Sequence, residues 1–134
     1  MVGYACYEPG CQHYPFPLGF FGYPKEGNYI GIVGNFKSGG FTNALFKAFQ
    51  KNLELPVIKL KIPLNGRILP AVRLSDHASF WDQGFKAVMI TDTAFFRNPH
   101  YHRPSDTMEK LDYRFMAELM ESLLIFFKSH RNGH

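Results

Sequence analysis

"YIGIVGNFKSGGFTNALFKAF", residues 29–49, changes its apolar period halfway along. Tyr29 to Asn35 is a short isoleucine- and valine-bearing run without polar alternation, which suits a strand buried on both faces, and it closes on a turn signal. Ser38 then offers a helix N-cap. Phe41, Leu45, Phe46, Phe49 and Leu53 recur at helical spacing, which predicts an amphipathic helix from about 40 to 53. A buried strand feeding an amphipathic helix is the building unit of α/β architecture.

Working outward, the same alternation continues. "LPVIKLKIP" reads as a strand near 57–62, and "SDHASFWDQG" as a short helix capped by Ser75 or Asp76 and closed by Gly84. "KAVMITD", residues 86–92, is a third buried strand. Phe115, Met116, Leu119, Leu123 and Phe126 or Phe127 mark a helix from Tyr113 to about Phe127. Strand and helix alternating three times predict an α/β fold, with helices packed on a mainly parallel sheet in a single domain spanning residues 1–134. In such sheets chemistry lies in loops beyond the carboxyl ends of strands. That directs attention to "TDTAFFRNPHYHRPSDT", residues 91–107. Before the first strand, residues 5–28 mix prolines, glycines and aromatics without any period, the pattern of a long ordered loop, and such loops are commonly functional.

A chain of 134 residues with 46% apolar content can bury one sizeable core. The net charge of +4 suggests an anionic partner, yet the lysines and arginines are scattered singly, without the basic stripe that nucleic-acid binding requires. No apolar stretch approaches the ~18 residues of a membrane span. Residues 1–30 lack the basic and apolar regions of a secretion signal, so the sequence reads as soluble, with its compartment open. Cys6 and Cys11, separated by four residues, suit either a small disulfide loop or two free thiols. No GxSxG elbow, phosphate-cradling glycine loop or HExxH helix is present.

His102 is the sharpest chemical candidate. A loop imidazole beyond a strand end can ligate zinc, with Asp106 orienting its other nitrogen. The alternative is a solvent-facing histidine, with Asp106 capping the next turn. Asp76 has the same two readings: an N-cap favoured by the helix dipole, or an acceptor supporting the cleft that holds His102. Among the loop aromatics, Tyr4, Tyr7, Phe95 and Tyr101 are candidates to line an apolar side-chain pocket, against simple packing. His13 and His100 have no identifiable partner, and His130 and His134 read as a solvated terminus.

The segments "MVGYACYEPGCQHYP", "GNYIGIVGN" and "RLSDHASFWDQGFKAVMITDTAFFRNPHYHRPSDTMEKLDY" together resemble the C-terminal half of the M28 family of zinc aminopeptidases. The SDHxxFW segment, the TDTAxxRNPxYHxxxDT segment and the final helix stand in the family's order and spacing. The resemblance implies a zinc-exopeptidase fold whose complete site holds two zinc ions and cleaves peptides at the N-terminus. By similarity His102 matches a zinc ligand, Asp76 and Asp106 match supporting positions, and Tyr4 and the cysteine loop lie where the family shapes its substrate pocket. The family's other ligands and its catalytic glutamate precede the segment that begins here at Met1. One imidazole cannot hold a catalytic zinc, which takes about three protein ligands plus water. The expectation is therefore a chain inactive alone, paired in a homo-oligomer or with a complementary N-terminal half. A non-catalytic interaction module and a glutaminyl-cyclase-like zinc acyltransferase are the alternatives on the same scaffold.

Overall fold

The computed structural model describes residues 1–131. Its centre is strand β1 (Ile30–Asn35), every residue of which is buried. Side chains alternate across a strand, so Ile30 and Ile32 face one way while Gly31 and Val33 face the other. β2 (Val57–Ile62) pairs parallel to β1, with Ile30 opposite Val57 and Asn35 opposite Ile62. β3 (Val88–Thr91) pairs on the other side of β1, giving the order β2-β1-β3.

The β1–β3 pairing is antiparallel, with Val88 opposite Gly34 and Thr91 opposite Gly31. The sheet is thus mixed rather than mainly parallel. β2 ends beside Asn35, and the connection through α2 (His77–Asp82) brings the chain back at that same end of the sheet, so β3 runs the other way. The loop after β3 consequently lies at the amino ends of β1 and β2.

Helices α1 (Gly39–Phe49) and α3 (Tyr113–Arg131) cover the Ile30 and Ile32 face through Leu45, Phe49, Phe115, Leu119 and Phe126. On the opposite face Val33, Ile62, Leu69, Val72 and Trp81 form a second cluster under α2. Burying each such side chain stabilises the fold by roughly 1.5–3 kcal/mol relative to exposure. No helix among the described residues is long and apolar enough to cross a membrane.

Several local expectations are corrected. α1 stops at Phe49 and leaves Leu53 90% exposed. The turn that follows is held to α3 instead, because the Asn52 amide donates to the Glu118 carbonyl at 3.0 Å and to Ser122 Oγ at 3.1 Å. Ser38 stands at the N-cap without capping: its hydroxyl donates to Asn35 Oδ1 at 2.6 Å and accepts from the Ala87 N–H at 3.0 Å. Asp76 precedes α2 but makes no capping bond, having helical dihedrals itself. Gly84 does close that region, at φ +77°. α3 runs beyond Phe127, and His130 belongs to it, with Nδ1 3.1 Å from the Phe126 carbonyl. His134 lies outside the described residues.

Candidate functional site

The loop after β3 is tied down at its start by Asp92, which is fully buried. Its Oδ2 accepts the Tyr4 N–H at 2.9 Å and its Oδ1 the Ala94 N–H at 3.0 Å. Thr93 and Ala94 then take the left-handed conformation, φ +72° and +50°. Non-glycine residues hold it at a cost of roughly 1–2 kcal/mol each. Asn98, 2% exposed, closes the far side: its Nδ2 donates to Asp106 Oδ1 at 3.2 Å and its Oδ1 accepts the His100 N–H at 2.8 Å. Between these clamps the chain turns at His102, again left-handed at φ +56°. The exposed His102 ring stacks on Tyr101, with centroids 3.9 Å apart.

Arg97 anchors the loop from below. It is 3% exposed, with its guanidinium 4.6 Å above the Tyr29 ring. Nε donates to Gln12 Oε1 at 2.8 Å and Nη1 to the Tyr4 carbonyl at 3.3 Å, while Nη2 has no hydrogen-bond partner among the described residues. Burial pulls the Arg97 pKa below its ordinary value. Cys6 and Cys11 form a disulfide, and Gly27 lies close to both Cys6 and Arg97. A Cβ at Gly27 would meet Cys6 Sγ at 2.5 Å and Arg97 Nε at 2.6 Å, so the close approach requires glycine there.

The N-terminal loop and the His102 loop together arch over the Gly31 and Val33 face of the sheet. Between them lies a mainly apolar cavity of about 390 Å³, floored by Val33, Leu60 and Met89. Tyr14 and Tyr29 stand in its wall, their hydroxyls 2.7 Å apart, and burial raises both phenol pKa values. Such a space accepts an uncharged, apolar group more readily than a charged one.

Of the residues singled out in the sequence, Phe95, Tyr101 and His102 line this cavity. Tyr4 and Tyr7 do not: the Tyr4 backbone is engaged by Asp92, and the Tyr7 hydroxyl donates to Asp112 Oδ2 at 2.6 Å in an exposed position. Asp106 neither caps α3 nor bonds His102. Asp112 caps that helix, accepting the Phe115 N–H at 2.9 Å. Asp76 lies in a separate shallow groove with His77, Phe80 and Lys86, so it does not share the His102 cleft. Residues missed in the sequence include His13, which lines the cavity, and the buried Gln12, Asp92, Arg97 and Asn98. Asp92, Arg97 and Asn98 are fixed letters of the TDTAxxRNPxYHxxxDT segment, which was the signal that could have found them, whereas Gln12 and His13 stand among loop aromatics with no periodic signal.

A zinc ion needs about three to four converging donors. Among the described residues no group of three His, Cys, Asp or Glu side chains could hold a metal. Both thiols are taken up in the disulfide. His102 is thus a single imidazole, and the residues present do not fit a zinc site unaided.

Fold and site together define an α/β domain with two loops arched over one sheet face and an apolar cavity between them. The family model for Peptidase family M28 matches residues 21–126, and the chain belongs to that family. It is 35% identical over 124 residues to the uncharacterized protein YfbL of Escherichia coli (strain K12), which covers 92% of this chain and 38% of YfbL. The chain therefore spans well under half the length of that relative. Probable leucine aminopeptidases of Arthroderma benhamiae and Trichophyton verrucosum are each 51% identical over 45 residues, 33% of this chain and 12% of theirs. No solved structure matches.

Proposed function

We propose that this chain is the C-terminal portion of a zinc-dependent aminopeptidase domain of the zinc-exopeptidase fold. In that role it supplies one zinc-binding imidazole, His102, and the apolar wall for the N-terminal side chain of a peptide substrate. The observation that carries the reading is His102 on the lip of an apolar cavity, in a left-handed turn clamped on both sides. Backbone strain of this kind persists where surrounding structure holds it, and it concentrates at functional sites. The short matches to probable leucine aminopeptidases agree with an apolar substrate group.

Asp106 supports the site by holding Asn98 and hence the His102 turn. The remaining zinc ligands and the proton-transferring carboxylate come from outside this chain, in a complementary N-terminal half or a second copy. The partner also covers the open side of the cavity. Nucleic acid has no place in this reading.

The test is metal content and peptidase activity of the purified chain after chelation, zinc reloading and removal of free ion. Zinc should be near zero per chain, with no release of leucine from a leucyl peptide. A chimera carrying this chain in place of the matched segment of YfbL should then bind zinc, and His102→Ala in the chimera should weaken that binding at least about tenfold. Two tightly held zinc ions in the isolated chain would overturn the reading. A chimera that folds but binds no zinc would favour the non-catalytic interaction module.

A further inference from the structure

α3 is apolar on two opposite faces. Phe115, Leu119, Ser122 and Phe126 are buried on the side that meets α1 and the sheet. At about 100° per residue, Tyr113, Ala117, Met120, Leu124 and Phe127 fall on the far side, and all are exposed. The four large side chains there are 61%, 58%, 45% and 60% exposed in chain order. The outward side of a helix on a folded domain is ordinarily polar, so this stripe is not explained by the fold. Its steps of four, three, four and three residues are those of the a and d positions along a helix pair, sustained over two heptads.

The flanks say which partner fits. One flank carries Glu121 and Lys128, both exposed and neither in an ion pair or hydrogen bond among the described residues. The other carries the half-buried Met116 and Leu123. In an antiparallel pair about a two-fold axis, like flanks lie side by side. Setting Leu124 against the partner's Phe127 places Glu121 beside the partner's Lys128, twice by symmetry. A parallel pair would instead set Glu121 and Lys128 against the partner's Met116 and Leu123, leaving the charges unmatched. The stripe is self-complementary in the antiparallel sense alone.

We infer that the outer face of α3 is a self-association surface through which two copies of this chain pair antiparallel, Leu124 and Phe127 at the seam and Glu121 beside Lys128 along its edge. A two-heptad seam is smaller than the roughly 1,200–2,000 Å² of a standard interface, so the dimer dissociates in the micromolar range. The inference is independent of the peptidase reading, since it uses neither His102 nor the cavity.

Sedimentation equilibrium of the 134-residue chain across micromolar concentrations tests it, with circular dichroism to confirm folding of each variant. A reversible monomer–dimer equilibrium is expected. Leu124→Glu should weaken it at least about tenfold, through a charge placed in the seam. Glu121→Lys and Lys128→Glu should each weaken it roughly fivefold by creating two like-charge pairs, and the double reversal should restore the original affinity within about twofold. A monomer at all concentrations, or a dimer indifferent to Leu124→Glu, would overturn the surface. A double reversal no better than either single change would overturn the antiparallel arrangement.

Discussion

His77 shows how a single buried side chain carries a pH dependence. Its Nε2 lies 2.7 Å from the Val72 carbonyl and so bears the proton, while Nδ1 is buried with no partner among the described residues. The ring meets Trp81 edge-on at 4.5 Å. Burial lowers its pKa below the ordinary 6.5, the Val72 carbonyl opposes this, Arg73 adds to it, and Asp76 opposes it weakly. The unfolded chain therefore takes up a proton before the folded one does. The stability tied to His77 is complete above about pH 6.5 and drains away as pH falls below that value. Thermal unfolding between pH 7.5 and pH 5 should accordingly show a falling midpoint, and His77→Gln, which keeps a donor for Val72, should flatten that slope. The sequence showed a histidine after Asp76 at a helix start. Which nitrogen would be left without a partner depends on where the residue 70–73 turn comes to rest, and that is a tertiary fact.

At the element scale, β1 and α1 pack so closely that a Cβ at Gly34 would collide with Thr42 Oγ1. Gly34→Ala should destabilise the protein by roughly 1–3 kcal/mol in urea unfolding, the usual cost of overpacking. Adding Thr42→Ala, which removes the colliding hydroxyl, should recover part of that loss, giving a non-additive pair. Glycine within "GIVGN" was visible in the sequence, but its crowding needs the helix laid across it. The elements themselves were legible because apolar patterning and, for α2, the flanking start and stop residues set them locally: β1, β2, α2 and α3 begin within about two residues of their expected starts. The direction of β3 was not legible. Strand direction follows from where the preceding connection returns, and "PLNGRILPAVRL" has no period that reveals it. Likewise the helical pattern of α3 announced a core face, while its second, exposed stripe acquires meaning only once the first face is seen to be occupied.

For the whole molecule, the cavity is the largest consequence of assembling distant segments. Residues 13–23 and 93–102 meet over a sheet face that neither touches in sequence. A neutral apolar fluorophore such as N-phenylnaphthylamine should enter it and brighten. Gly31→Ile, whose Cβ would meet Thr91 only at ordinary van der Waals distance, should weaken that binding about tenfold, or about 1.4 kcal/mol. Unchanged fluorescence titration in a folded Gly31→Ile chain would place the dye elsewhere.

The sequence by itself determined the α/β class, the order of elements, the M28 membership and the choice of the His102 loop as the place to look. These depend on local periodicity and on short motifs, which survive in one dimension. Tertiary structure decided the mixed sheet, the disulfide, the buried Arg97 anchor, the separation of Asp76 from His102 and the shape of the cavity. Each of those depends on which distant groups meet. Satisfying a buried donor or acceptor is a property of the partner brought to it, and no spacing along the chain records that partner.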